Sequence, residues 1–176
     1  PLDGTREFVK KNGELTVNIA PVADGVPVLG VVPAPVFDQL LHGERGVGAF
    51  LRDGGDDIAL LTRRPATSPL RVAASRSHLD PRTAAALERM GDTERFGLGS
   101  SLKFCRIADG TLDVYPRFGP TSEWDTAAAQ CVLEAAGGAV IAPDGRAFRY
   151  NQRPTLLNGD FIALGDPQLP WRSWIG

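Results

Sequence analysis

The sequence predicts a layered α+β fold with two parts, an antiparallel sheet followed by alternating strands and helices. The first third is β-rich and contains an Asp-Gly turn, a polar stretch with prolines follows it, and short apolar strands then alternate with helical segments. A chain of 176 residues is long enough to bury a substantial core. We therefore predict one part over residues 1–68 and a second over residues 69–176.

The first predicted elements form a β-hairpin. Segments 15–23 and 26–32 are β-rich, and Asp24 and Gly25 join them. This dipeptide readily adopts the positive φ angles of a two-residue hairpin turn. Segment 40–51 mixes apolar residues with glycines, which predicts further antiparallel strands of the same sheet. The polar segment 55–69 is expected to connect the two parts.

The second part is predicted to alternate strands with helices. We predict strands at 70–75, 96–99, 112–118, 139–142 and 161–165, and helices at 81–90, 101–110 and 124–138. The last helix has the strongest signal, because its interior is rich in alanine and because Gly137 and Gly138 supply a left-handed stop.

Composition limits the classes of function. The formal net charge is −2, so a general electrostatic surface for nucleic acid is not expected. Cys105 and Cys131 lack metal-ligand spacing, which favours a reducing compartment. No apolar run reaches about 18 residues, so no transmembrane segment is predicted. We expect a cytoplasmic protein, and a peripheral position on the cytoplasmic face of the inner membrane stays open, as does a homo-oligomer.

Two short stretches combine a carboxylate with a turn or a helix start. Gly4 allows a sharp turn between Asp3 and Thr5, and Thr5 is expected to cap a following helix whose free N–H groups would face an anion. Asp125 falls in the first turn of the long helix, where the dipole keeps a carboxylate ionised and suited to Mg²⁺. An ordinary Asp-Gly turn and an ordinary helix-start Asp remain open alternatives.

Three polar stretches point to anion binding. Ser100 and Lys103 lie at another helix start. The positive charge of a lysine interacts unfavourably with the helix dipole there, so we expect Lys103 to contact an anion. A solvated surface lysine is the alternative. His78 and Arg117 lie near strand ends, and each is equally compatible with a surface or turn position.

Together, "PLDGTREF", "SRSH", "GSSLKFC" and "DVYPRFGPTSEWDTAA" resemble the lithium-sensitive, magnesium-dependent phosphatases of the inositol monophosphatase superfamily. The resemblance covers essentially the whole chain and favours the nucleotidase branch. It implies a layered αβαβα fold like that of sugar phosphatases. It also implies hydrolysis of a small nucleotide, adenosine 3',5'-bisphosphate or its sulfated form, in sulfate assimilation.

The resemblance implies a role for each matching position. Leu2 through its carbonyl, Asp3 and Asp125 would be ligands of Mg²⁺, and Thr5 would orient the attacking water. The residues expected to bind substrate are Gly4, Thr5, His78, Ser100, Lys103, Arg117 and Asp125. No covalent intermediate is required, because the metal ions activate a water molecule directly.

The resemblance also leads to an expectation about the start of the chain. The family's first motif has another Asp just before the position of Pro1, and a paired-Glu motif lies further upstream. We therefore expect a truncated form that lacks the N-terminal helices, holds Mg²⁺ weakly and is inactive at ordinary Mg²⁺ concentrations. Two other functions stay open, an inositol- or sugar-phosphate phosphatase and a non-catalytic nucleotide-binding fragment.

Overall fold

The computed structural model describes residues 2–74 and 80–175. Its main features are two larger sheets, two short β-ribbons and four α-helices in the described segments. The fold is α+β, as the sequence predicts, and one of its larger sheets is mixed. His78 lies outside the described residues.

The first larger sheet is antiparallel, with strand order β5-β6-β7-β8. Two ribbons precede it along the chain and involve strands β1 to β4, and helix α1 lies between β1 and β2. The bounds are β1 Leu2–Asp3, α1 Thr5–Lys10, β2 Thr16–Val17, β3 Val22–Ala23, β4 Val26–Pro27, β5 Leu29–Ala34, β6 Gln39–Glu44, β7 Gly48–Asp53 and β8 Asp57–Leu60.

The second larger sheet has strand order β10-β9-β11-β13-β12. Strand β9 runs parallel to both β10 and β11, whereas β13 is antiparallel to β11 and β12. Helices alternate with these strands. The bounds are β9 Leu70–Ala74, α2 Pro81–Arg89, β10 Thr93–Gly97, α3 Leu102–Ala108, β11 Val114–Arg117, α4 Glu123–Ala135, β12 Ala139–Ile141 and β13 Phe161–Leu164.

Helix α4 packs directly on strands β5 and β6. Two glycines make this close approach feasible. A Cβ atom on Gly30 would lie 2.1 Å from the Ala128 carbonyl oxygen, and one on Gly43 would lie 2.8 Å from the Val132 Cα. Since real Cβ atoms do not approach backbone atoms this closely, the glycines set the depth at which α4 sits on the sheet.

The main core surrounds helices α3 and α4 and contains a cluster of aromatic rings. Phe161 lies at its centre, with ring centroids 5.4–5.6 Å from those of Phe104, Tyr115 and Phe148. Edge-to-face pairs at such distances add to the stabilisation from burial.

In the described ranges, no helix has the length and apolar character needed to cross a membrane.

The local predictions hold in most places and differ in a few. Asp24 and Gly25 form the expected turn, with φ angles of 51° and 76°, although the ribbon they close is only two residues long on each side. The predicted strand over 15–23 is broken into β2 and β3. Strand β10 begins at Thr93 rather than at Phe96.

Strand β8 lies within segment 55–69, where no strand was predicted. This strand is at the edge of its sheet, and its first three residues are exposed, Ile58 among them. A strand of four residues at a sheet edge does not need to alternate buried and exposed side chains, so the periodic pattern that predicts a strand is missing.

Candidate active site

A polar cavity of about 200 Å³ brings distant parts of the chain together. Its wall combines strand β1, the start of α3, the end of β11 and the segment that leads into α4. The lining residues are Asp3, Ser100, Lys103, Phe104, Tyr115, Arg117, Pro120, Thr121, Asp125 and Thr126. Five of the predicted site residues therefore share one cavity.

Asp3 is held by the pairing of β1 with β2, which sets Asp3 opposite Thr16. The Thr16 hydroxyl lies 2.7 Å from the Ser101 hydroxyl, which donates a hydrogen bond of 2.8 Å to Asn18 Oδ1. All three side chains are buried. This polar ladder ties the β-ribbon to the start of α3, and so it fixes Asp3 beside Ser100 and Lys103.

The electrostatic environment of Asp3 opposes its ionisation. Burial is the larger cause and the nearby charge of Asp125 the next, and together they raise the pKa of Asp3 to about 6. Lys103 and the backbone N–H groups of Ser101 and Gly4 act in the opposite direction. The buried carboxylate is therefore costly to ionise, and a cation bound beside it would favour the ionised form.

Gly4 and Thr5 follow Asp3 directly but do not line the cavity. Gly4 has a φ of +90°, and a Cβ there would lie 2.8 Å from the Glu14 carbonyl oxygen, so the turn requires glycine. Helix α1 begins at Thr5 itself, and Phe8 N–H donates to the Gly4 carbonyl. The prediction that Thr5 caps the helix was therefore wrong by one residue, since Gly4 occupies the cap position. Leu2 is about half exposed.

Asp125 lies at the third position of α4, as predicted. Its Oδ2 accepts a hydrogen bond of 2.9 Å from the Ser122 backbone N–H, which satisfies one of the unpaired donors at the helix start. Among the described residues, none donates a hydrogen bond to Asp125 Oδ1. The local fold therefore orients the carboxylate with one oxygen available to the cavity.

Two cations face the two carboxylates. Lys103 is 7 % exposed, its Nζ donates to the Ser100 carbonyl at 2.8 Å, and it lies 5.2 Å from the centre of the Tyr115 ring. Arg117 Nη2 donates to the Pro120 carbonyl at 3.0 Å. Within residues 2–74 and 80–175, the buried Arg117 Nε has no hydrogen-bond acceptor. An anion in the cavity would supply the acceptor that this atom lacks.

Ser100 adopts a left-handed conformation with a φ of 47°, which is unusual for a residue other than glycine. Its hydroxyl accepts a weak hydrogen bond of 3.4 Å from the Leu102 N–H. Such strained conformations persist where the surrounding structure fixes them, often at binding sites. The conformation places a hydroxyl-bearing residue in the cavity wall between Asp3 and Lys103.

The sequence did not indicate several other residues around the site. Glu14 Oε2 accepts a hydrogen bond of 2.7 Å from the Gly99 N–H, just before Ser100. Thr121 and Thr126 line the cavity on either side of Asp125. The local sequence around these three residues does not indicate their roles, because the roles depend on contacts between distant segments.

The combination of groups suits a phosphate together with a hard cation. Oxygen ligands from carboxylates suit Mg²⁺, and lysine and arginine are the usual partners of phosphate oxygens. In the part of the chain that the structure describes, no group of three or more His, Cys, Asp or Glu side chains forms a complete metal cage. A site of this kind would rely on water or substrate oxygens for its remaining ligands.

Comparison with known proteins places these features in a family. The inositol monophosphatase family matches residues 1–169. The chain is 45% identical over 163 residues to the 3'(2'),5'-bisphosphate nucleotidase CysQ of Salmonella typhimurium, covering 92% of this chain and 64% of that protein. It is 34% identical over 176 residues to CysQ of Haemophilus influenzae, covering 98% and 65%.

Two solved structures of the same family resemble this fold. The crystal structure of CysQ from Bacteroides thetaiotaomicron superposes with a TM-score of 0.83 at 40% identity, covering 93% of this chain and 67% of that one. The Thermotoga maritima IMPase superposes with a TM-score of 0.74 at 29% identity, covering 94% and 61%. The chain spans about 64% of the length of CysQ from Salmonella typhimurium and from Escherichia coli. It belongs to the inositol monophosphatase family.

Proposed function

We propose that this chain carries the phosphate site of a magnesium-dependent phosphomonoesterase that converts adenosine 3',5'-bisphosphate to AMP and phosphate. The observation that carries the proposal is the pairing of Asp3 and Asp125 with Lys103 and Arg117 in one small cavity. Relatives with 34–45% identity have the name 3'(2'),5'-bisphosphate nucleotidase, which supports a nucleotide bisphosphate as substrate.

The metal-binding residues in this proposal are Asp3, Asp125 and the carbonyl of Leu2. The donor set consists of carboxylate and carbonyl oxygen atoms, which are the ligands that a hard divalent cation prefers, so the residues fit Mg²⁺. When bound, Mg²⁺ would polarise the phosphoryl oxygens and lower the pKa of a coordinated water.

The chain's own groups would bind and orient the substrate. Gly4 and Thr5 would present backbone N–H groups to the scissile phosphate at the start of α1, and the exposed Thr5 hydroxyl would orient the attacking water. Asp125 is already aligned by its hydrogen bond from Ser122 N–H. Such positioning supplies much of the catalysis in phosphoryl transfer.

Lys103, Arg117 and Ser100 would hold the phosphate that is not cleaved. Arg117 Nε is buried and lacks an acceptor in the described segments, which supports a role in anion binding. Burial raises the pKa of Tyr115 to about 12, so its hydroxyl stays neutral beside these cations. His78 is also proposed to bind substrate by resemblance. A cytoplasmic role in sulfate assimilation, with the sulfated nucleotide as a second substrate, completes the proposal.

The test measures phosphate release and ligand binding side by side. The chain is incubated with adenosine 3',5'-bisphosphate or with inositol 1-phosphate, with Mg²⁺ or with EDTA, and calorimetry records binding. We expect binding of the bisphosphate and, at Mg²⁺ concentrations well above the ordinary range, Mg²⁺-dependent release that is much faster than release from inositol 1-phosphate. Faster release from inositol 1-phosphate would favour the sugar-phosphate alternative, and binding without release would identify a non-catalytic nucleotide-binding module.

A further inference from the structure

Asn158 lies just before β13 and contacts the segment that leads into α4. Residues 156–158 run antiparallel to residues 121–123: the Asn158 N–H donates to the Thr121 carbonyl at 2.8 Å, and the Glu123 N–H donates to the Leu156 carbonyl at 2.9 Å. Asn158 is 8 % exposed and does not line the cavity. It therefore supports the site from outside.

The amide of Asn158 contacts both sides of Asp125 in sequence. Its Nδ2 lies 3.0 Å from the Thr121 Oγ1, 2.9 Å from the Ser122 carbonyl oxygen and 2.9 Å from the Thr126 Oγ1. A carbonyl oxygen only accepts hydrogen bonds, so the NH₂ group of the amide must face this segment. One side chain thus holds three residues that flank Asp125.

A partly buried ion pair fixes the other end of the amide. Asn158 Oδ1 accepts a hydrogen bond of 3.2 Å from Arg153 Nη2, and the same nitrogen lies 2.8 Å from Glu123 Oε1. Glu123 is the first residue of α4 and is 6 % exposed. The amide is therefore anchored to the helix whose start it holds, which restricts its own rotation.

These contacts act on the groups that form the cavity. Thr121 and Thr126 line the cavity, and Ser122 donates the backbone hydrogen bond that aligns Asp125 Oδ2. Loss of the Asn158 amide would remove one donor from the Ser122 carbonyl, which keeps the Asp125 N–H, and one from the buried Thr126 hydroxyl, which keeps the Tyr150 O–H. The segment would lose its link to residue 158 and would loosen. The orientation of the Asp125 carboxylate would then be less fixed.

We propose that Asn158 is a positioning residue that holds Asp125 in the orientation required for metal and phosphate binding. This inference rests on the proposed function for its consequence, the affinity for Mg²⁺. Its structural part, the ordering of residues 121–126, concerns the chain without any ligand. The two parts can be measured separately.

The experiment compares Asn158→Leu with the control Thr83→Val. Both changes keep the approximate size of a buried polar side chain and remove its side-chain hydrogen bonds. Thr83 is buried on α2, and its hydroxyl donates to the Asp80 carboxylate at the start of the same helix, which belongs neither to the Asp125 segment nor to the contacts of Asn158. Hydrogen exchange of the peptide spanning 119–126 is measured in EDTA, and Mg²⁺ affinity is measured by calorimetry without substrate.

We expect Asn158→Leu to accelerate exchange in 119–126 by about 10-fold or more and to weaken Mg²⁺ binding by about 10- to 100-fold. Thr83→Val should lower overall stability and change neither quantity. Unchanged exchange in Asn158→Leu would overturn the inference, as would faster exchange with wild-type Mg²⁺ affinity. If the wild-type chain binds no Mg²⁺, the metal site of the proposed function fails, while the exchange result still decides whether Asn158 orders the segment.

A second variant covers the case in which Asn158→Leu does not fold. Thr121→Val removes one acceptor of the Asn158 amide and keeps the shape of the side chain. It should produce a smaller change in the same direction, about 3-fold faster exchange in 119–126. Exchange at the wild-type rate would count against the proposed role of the amide.

Discussion

Asp3 and Asp125 share the wall of one cavity, and the charge of Asp125 adds to burial in raising the pKa of Asp3 to about 6. The ordinary value for Asp3 is 3.8, so the folded state binds its proton more tightly than the unfolded state. Stability from this group is fully present below about pH 4 and is lost as the pH rises through about 6.

Asp3→Asn should therefore stabilise the metal-free chain at neutral pH. We expect the free energy of unfolding at pH 7.5 to rise by about 2 kcal/mol, because the variant removes a carboxylate that is costly to ionise in the fold. Near pH 4 the variant and the wild type should differ little, because Asp3 is largely protonated in the folded state there. Urea denaturation at both pH values in EDTA provides the measurement, and an equal difference at the two pH values would contradict the assigned pKa.

Asp125→Asn tests the proposed metal ligand. The asparagine amide oxygen can still accept the hydrogen bond from Ser122 N–H, so α4 should begin at the same place and the fold should survive. The loss of one negative charge should abolish Mg²⁺-dependent stabilisation, and any phosphatase activity should fall by about 100-fold or more. Circular dichroism checks the fold, and a melting temperature that still rises with Mg²⁺ as in the wild type would remove Asp125 from the ligand set.

Arg117→Ala and Lys103→Ala test the recognition of the second phosphate. Each charged hydrogen bond to phosphate contributes roughly 1.5–3 kcal/mol, so KM for the bisphosphate should rise by about 10- to 100-fold. KM for adenosine 3'-monophosphate should change much less, because that substrate lacks the second phosphate. Arg149→Ala, an exposed arginine outside the cavity lining, is the control.

An equal rise in KM for both substrates would assign these cations to the fold or to the reacting phosphate.

Lys103 has a second effect that distinguishes it from Arg117. Because its charge lowers the pKa of Asp3, its removal should raise that pKa further.

The sequence predicted the fold class and five of the cavity residues, but for different reasons. The long helix was evident from its own residues, since alanines favour helix and Gly137 ends it with a φ of +100°. The site residues followed from a resemblance between motifs. Asp3 and Asp125 carry no local feature that would bring them into one cavity.

The supporting contacts could not be predicted, because they join distant segments. Thr16 and Ser101 are 85 positions apart, and Asn158 is 32 positions from Thr126. Gly30 and Gly43 fall within segments that were predicted as strands, but nothing in the sequence indicated that both would lie under α4. A glycine that permits close packing has the same sequence signal as one that permits a turn.

The buried ion pair between Arg63 and Asp113 should be a strong stabilising contact. Asp113 is fully buried, its Oδ1 accepts from Arg63 Nε at 2.7 Å, and its Oδ2 accepts from the Arg71 N–H at 2.7 Å. Asp113→Ala would remove the carboxylate acceptor from the Arg71 N–H and from the guanidinium, which keeps only its contacts with Thr67, so we expect a loss of about 3–5 kcal/mol in urea denaturation. Asp57→Ala, which breaks the exposed pair with Arg52, should cost much less.

Gly30→Ala should separate α4 from its sheet and disturb the site at the same time. The added Cβ would lie 2.1 Å from the Ala128 carbonyl oxygen, which is a backbone atom and cannot rotate away, so the helix or the strand must shift. We expect a loss of about 3 kcal/mol in the free energy of unfolding, at the upper end of typical overpacking costs. Gly55→Ala is the matched control. Its Cβ would meet open space, so this variant should change stability by less than about 0.5 kcal/mol.

Because the first turn of α4 carries Asp125, a shifted helix should also weaken Mg²⁺ binding in Gly30→Ala, and calorimetry on the folded variant measures this. Wild-type stability in Gly30→Ala would mean that α4 does not pack on β5 at the depth described.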